Sequence, residues 1–175
     1  MIQSRRHHSI ERLAMCNSIS DEFLMEYADK VINLAISNVK EDGLPFAAIV
    51  VDQNGEIIGK GVNQVAKHLD CTAHAEIQAI REASGNEKTV SLKGMILIVS
   101  GEPCALCYMA IRMAEIMKVV IVSNRYEAEK HGFDYLWTYE YFNETLFNEL
   151  DVVTLDNDRK LLPFQLAKHS LSDQD

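Results

Sequence analysis

The chain has 175 residues, 47% of them hydrophobic and 25% charged, the make-up of an ordinary globular domain. That length suffices for one core burying roughly 70% of the unfolded surface. Twenty-six acidic residues against 17 basic ones leave a net charge of −9, which argues against a surface that tracks phosphates, so no nucleic-acid partner is expected.

No run approaches the ~20 apolar residues of a membrane span. Glu11 and Arg12 interrupt what would be the apolar core of a leader after Arg5-Arg6. The expectation is a cytoplasmic protein with reduced cysteines and no membrane partner, one domain over residues 1–175 with a loosely held polar arm at 1–17.

In chain order, Ser20 suits an N-cap, with Asp21 and Glu22 in the first turn where negative charge favours a helix start. Phe23, Leu24, Tyr27, Ala28, Val31, Leu34 and Ala35 then recur at helical steps and predict one apolar face. Leu44 to Asp52 reads as a buried strand. Asn54-Gly55 has the chemistry of a two-residue turn, so Glu56 to Val62 should return antiparallel.

A helix with His74 in its first turn should run to about Ala83, with Ser84-Gly85-Asn86 stopping it. Met95 to Val99 is a short apolar strand, and Pro103 opens a second helix carrying Leu106, Met109, Ala110, Met113 and Ile116 inward. Val119 to Val122 is another buried strand, and strand–helix–strand with apolar runs implies a parallel pair. Tyr139 to Leu150 reads as helical, Val152 to Leu155 as an edge strand and Pro163 to Ser170 as a last helix. The sum is an α/β fold: a single domain of three layers, α/β/α, around a mixed five-stranded sheet.

Two strings carry the chemistry. Thr72-Ala73-His74-Ala75-Glu76 supplies an imidazole and a carboxylate; Glu102-Pro103-Cys104-Ala105-Leu106-Cys107 supplies two sulfurs. His74, Cys104 and Cys107 are suitable ligands for zinc, one ion per chain, and three protein ligands leave the fourth position that a catalytic zinc needs. Cysteines at a helix start are held as thiolates by backbone N–H groups and the helix dipole. Glu76 is assigned to proton transfer, taking a proton from the attacking water and delivering it to the reacting group.

Two other readings stay open. Cys104-x-x-Cys107 alone could be a redox pair. Cys71, three residues before His74, could also close a four-ligand structural site, making the chain a binding module.

The pair of strings matches the H-x-E…P-C-x-x-C signature of zinc deaminases, and the chain resembles the cytidine deaminase-like superfamily. Over roughly residues 22–168 it is most similar to the bacterial guanine deaminase branch. Pro45-Phe46-Ala47-Ala48, Gly61-Val62-Asn63, Asp70-Cys71-Thr72, Gly132-Phe133-Asp134 and Pro163-Phe164-Gln165 carry that resemblance. It implies that Asn63 hydrogen-bonds the substrate ring. Ala75, Phe46, Asp134, Tyr135 and Trp137 complete the candidate substrate contacts. The plainer readings are a turn asparagine for Asn63, a solvated acid for Asp134 and core packing for the aromatics.

The chain also departs from the branch. Ala47 stands where glycine is usual and Cys71 where proline is usual. Tyr135 takes the place of a second acid, Met113 that of a tryptophan, and the tail ends Ser172-Asp173-Gln174-Asp175 without the branch's terminal aromatic.

The resemblance implies a zinc-dependent aminohydrolase acting on a small purine-like heterocycle: guanine, a pterin, or a related nucleobase or nucleoside. Its ring amino group would become a carbonyl with release of ammonia. The alternatives are a tRNA adenosine deaminase and a cytosine or cytidine deaminase. The resemblance further implies a homodimer, with the segment at about 139–170 exchanged between subunits.

Overall fold

The computed structural model describes residues 21–141 and 150–172. Five strands form one mixed sheet in the order β2-β1-β3-β4-β5: β1 (Ala47–Val51), β2 (Ile57–Val62), β3 (Ile96–Gly101), β4 (Lys118–Ser123) and β5 (Asp151–Thr154). β1 pairs antiparallel with β2 and with β3, while β3–β4 and β4–β5 are parallel. The expected hairpin around Asn54-Gly55 is present, with a register shift between Val50 and Val51.

The three central strands are buried along nearly their whole length, and strand geometry divides their side chains between two faces. Ala47, Ile49, Val51, Ile96, Ile98, Val120 and Val122 pack under helix α1 (Asp21–Lys40), where Leu24, Tyr27, Ala28, Val31 and Ala35 of the predicted stripe are buried together with Ile32, and Phe23 and Leu34 are partly buried beside them. The Ser20 cap expected for α1 and the arm at 1–17 lie outside the described residues. Ala48, Val50, Leu97, Val99, Val119 and Ile121 pack on the other face against α3 (Ala75–Glu87) and α4 (Ala105–Met113). The short α2 (Val65–His68) precedes α3; α5 (Arg125–Lys130) and α6 (Leu162–Ser172) come after β4 and β5. This is the expected three-layer arrangement.

Some local expectations are corrected. α3 does not stop at Ser84-Gly85-Asn86: it runs to Glu87 and ends at Lys88, in a left-handed conformation (φ 53°), whose N–H bonds the Ser84 carbonyl. A helical glycine costs only about 1 kcal/mol, and Asn86 is held there by donating to the Ile58 carbonyl at 2.8 Å.

α4 ends at Met113, and Leu106 and Met113 face outward, 41% and 77% exposed. Its buried face is Ala105, Cys107, Tyr108 and Ile111; apolar residues occupy both sides, so periodicity alone chose the wrong one within the helix, while Ile116, also expected inward, is buried just beyond the helix end. Of the helix expected at 139–150, a 3-10 turn at Leu136–Tyr141 is present, and residues 142–149 lie outside the described part. α5, which the sequence reading passed over, starts with a capping box: Asn124 accepts from the Tyr126 and Glu127 amides, and Glu127 accepts from the Asn124 amide.

Candidate active site

The site is assembled from the starts of two helices. His74 and Cys104 are the N-cap residues of α3 and α4, one position before the first turn in which they were expected. Both have the extended backbone of a cap, φ −70° and −72°, and neither uses its side chain to cap its helix. The ring and the sulfur are therefore available to each other. Cys107, one turn further along α4, is fully buried.

The approach to His74 is a built turn. The Asp70 Oδ1 accepts from the Thr72 amide at 2.8 Å and from the Thr72 hydroxyl at 2.7 Å. These bonds hold the Asp70 carboxyl below the usual carboxylate range. The Gln64 amide donates to the Ala73 carbonyl at 2.9 Å, tying the turn to the end of β2.

His74 Nδ1 lies 3.5 Å from Cys104 Sγ and 3.4 Å from Cys107 Sγ, and the sulfurs are 3.6 Å apart. Tetrahedral zinc, with bonds of about 2.0 Å to nitrogen and 2.3 Å to sulfur, sets such atoms about 3.5–3.8 Å apart. The donor set and its triangle fit zinc. Cys107 and His74 hydrogen-bond to Cys104 and pull its thiol down to about 4, whereas hydrogen bonding to Cys104 and then burial raise Cys107 well above the ordinary thiol. The Cys104 partner also raises His74.

Cys71 is exposed and does not belong to the cluster formed by His74, Cys104 and Cys107. The four-ligand closure considered from sequence is therefore absent among the described residues.

Glu76 stands in the first turn of α3 and is 7% exposed. Burial first, and the negative Cys104 next, push its carboxyl up to about 7. It lines a cavity of about 420 Å³ together with His74, Cys104 and Glu102. Asn63, Phe46, Asp134, Tyr135 and Trp137 line the same cavity. Five of the six candidate substrate contacts thus converge from the residue before β1 (Phe46), the residue after β2 (Asn63) and the segment 134–137. Ala75, the sixth, is buried (1% exposed) and outside the wall: its backbone packs against Gly61.

The plainer readings also hold in part. Asn63 Oδ1 accepts from the Val65 amide at 3.3 Å, which fixes the amide group at the strand end. Asp134 Oδ1 accepts from the Leu136 amide at 2.9 Å. Phe46 is the hub of an aromatic cluster, its ring edge-on to Phe133, Tyr135 and Phe164 at 5.9, 5.9 and 5.4 Å.

The sequence reading missed Leu44, Val65, Phe133 and Thr138, which also form the wall. It missed Glu102 as a site residue too. Glu102 pairs with Arg125 at 2.9 Å while its second oxygen accepts from the Arg125 amide at 2.9 Å. Its position immediately before Pro103-Cys104 was the available signal.

A cavity walled by two helix starts, a zinc-fitting His-Cys-Cys triangle and a buried carboxyl two residues from the histidine defines a zinc-type deaminase. Residues 18–123 match the cytidine and deoxycytidylate deaminase zinc-binding region, and the chain belongs to that family.

Among curated relatives, guanine deaminase of Bacillus subtilis is 36% identical over 115 residues, 65% of this chain and 73% of that protein. The tRNA-specific adenosine deaminase of Aquifex aeolicus is 36% identical over 151 residues, 85% of this chain and 91% of that protein. Among solved structures, guanine deaminase from Nitrosomonas europaea superposes with a TM-score of 0.73 at 26% identity, over 81% of this chain and 82% of that one.

Proposed function

We propose that this chain deaminates a small, planar, purine-like heterocycle, a free base or nucleoside, replacing a ring amino group by a carbonyl oxygen and releasing ammonia. The observation that carries the reading is Glu76: a carboxyl buried in the cavity wall, beside the zinc triangle and not part of it.

His74, Cys104 and Cys107 would hold the metal. Bound zinc supplies Lewis acidity, lowering the pKa of a coordinated water towards ~7. Glu76 does the remaining proton work. Its carboxylate takes one proton from the attacking water and passes it to a ring nitrogen as the new C–O bond forms. It then carries the second proton to the amino nitrogen, the C–N bond breaks, and ammonia leaves as the carbonyl forms. Its raised pKa suits both halves of that transfer near neutral pH.

Asn63, its amide oxygen fixed by the Val65 N–H, is assigned the ring's edge, with the NH₂ group donating. Phe46, Tyr135 and Trp137 present apolar surface to the ring's faces and rim, as purine-sized pockets do. No lysine or arginine among the described residues lines the cavity, whereas Glu76, Glu102 and Asp134 do. That charge distribution favours an uncharged substrate over a phosphorylated one. From the family resemblance we place the enzyme in the cytoplasm as a homodimer.

The test is ammonia release across aminopurines, aminopyrimidines, aminopteridines and their nucleosides, with Glu76→Gln protein as the blank. An aminopurine or aminopteridine should top the screen. Tyr135, where guanine deaminases resembling this chain have an acid, predicts that guanine itself is a poor substrate. A second reading, deamination of a tRNA adenosine, is favoured by the similarity to the Aquifex enzyme along most of both chains. Inosine appearing in unmodified tRNA, with no small heterocycle turned over, would establish it over the first.

A further inference from the structure

Three side chains of one short segment hydrogen-bond to the backbone on both sides of Cys104. The Tyr135 hydroxyl donates to the Glu102 carbonyl at 2.8 Å. The Tyr139 hydroxyl donates to the Pro103 carbonyl. The Thr138 Oγ1 accepts from the Ala105 amide at 3.3 Å and donates to the Tyr135 carbonyl at 2.8 Å. Residues 102, 103 and 105 are thus each tied to the segment 135–139, and the residue they enclose is a zinc ligand.

The clamp is itself braced. The Arg125 guanidinium lies 3.9 Å from the Tyr139 ring centroid and pairs with Glu102 at 2.9 Å, so one cation holds a tyrosine of the clamp and a residue of the loop being clamped. The Glu102 amide donates to the Ser123 carbonyl at 2.8 Å, anchoring the loop to the end of β4. Tyr135 and Thr138 also line the cavity; Tyr139 does not.

From this geometry we infer that Tyr135, Thr138 and Tyr139 form a clamp that fixes the Cys104 sulfur for metal binding, with Tyr139 a positioning residue acting through the Pro103 carbonyl. Carbonyls 102 and 103 cannot rotate without losing a tyrosine hydroxyl, and the Cys104 backbone follows them. Partners that orient metal ligands are commonly worth about 10–100-fold in metal affinity or activity. Because Tyr135 and Thr138 belong to the cavity wall as well, the same segment sets the wall and the metal ligand in register. The inference rests on the metal triangle and is independent of which heterocycle is the substrate.

The test compares full-length wild-type protein with Tyr139→Phe, which keeps the ring over Arg125 and removes the hydroxyl alone. Two readouts are taken: the rate of zinc release to excess EDTA, and the visible ligand-field and thiolate charge-transfer bands after cobalt(II) substitution. Tyr139→Phe should bind one zinc, release it about tenfold faster and show shifted cobalt bands.

Thr138→Val and Thr138→Ser form an independent pair, useful should Tyr139→Phe fold poorly: valine should speed release and serine restore it. Wild-type release rates and unshifted cobalt bands in Tyr139→Phe, or in Thr138→Val if the first variant is unfolded, overturn the clamp alone. A wild-type chain that takes up no metal overturns the clamp together with the triangle.

Discussion

Gly61 of β2 lies so close to Ala75 of α3 that a Cβ on the glycine would stand 2.1 Å from the Ala75 carbonyl oxygen and 2.5 Å from the Ala79 amide nitrogen. Two residues earlier, a Cβ on Gly59 would meet the Ala79 carbonyl at 2.4 Å and the Ala83 amide at 2.8 Å. Glycines on alternate strand positions therefore face alanines one helical turn apart. Ala75 is the residue between His74 and Glu76, so the depth at which this seam seats α3 sets the position of a ligand and of the proton carrier together.

Gly61→Ala should accordingly damage both stability and site. The neighbours it would meet are backbone atoms of a helix, which cannot rotate away, so α3 has to lift. Forcing a methyl into a packed seam costs typically about 1–3 kcal/mol. A lowered urea midpoint with weaker zinc retention is the expected result; a variant with wild-type midpoint and zinc affinity would mean that the helix has slack.

Gly85→Ala should act in the opposite direction. Gly85 is helical and exposed, and nothing lies within 4 Å of its ideal Cβ. Replacing it removes chain entropy from the unfolded state and should stabilise by about 0.5–1 kcal/mol. The expectation is a higher melting temperature at unchanged zinc content.

That same glycine shows where the sequence could be read and where it could not. Ser84-Gly85-Asn86 has the composition of a helix stop, yet α3 passes through it, because helix end signals are local whereas the Gly59–Gly61 seam and the Asn86–Ile58 bond are tertiary. The strands were legible because β1, β3 and β4 are buried on both faces and read as unbroken apolar runs. The metal triangle was legible because its residue types and spacing are rare in combination. The inward face of α4 was not, since Leu106, Met109, Ala110 and Met113 form a stripe as apolar as the one that packs. Nor was the clamp, whose hydroxyls bond backbone carbonyls and an amide some thirty positions away in sequence.

His74→Ala should yield folded protein without stoichiometric zinc, since two thiolates alone leave the tetrahedral set half filled. Cys71→Ser, at an exposed position outside the triangle, should keep one zinc per chain and full ammonia release. Metal analysis of the two purified variants separates the three-ligand site from a four-ligand one; full zinc in His74→Ala would contradict the ligand assignment, and zinc loss in Cys71→Ser would bring the fourth ligand back.

Glu76→Gln separates binding of the metal from use of it. The amide has nearly the shape of the carboxyl but cannot accept and return a proton, and Glu76 is not among the three clustered ligands. Zinc should stay at one per chain, while ammonia release falls by about 10²–10⁴-fold, the usual contribution of a positioned proton carrier. Stability should not fall with it: burial already disfavours the carboxylate at this position, and a neutral amide removes that cost. Steady-state ammonia assays, zinc analysis and a melting curve on the same preparation decide the matter. Turnover within a few-fold of wild type in zinc-loaded protein would assign the proton work to another group.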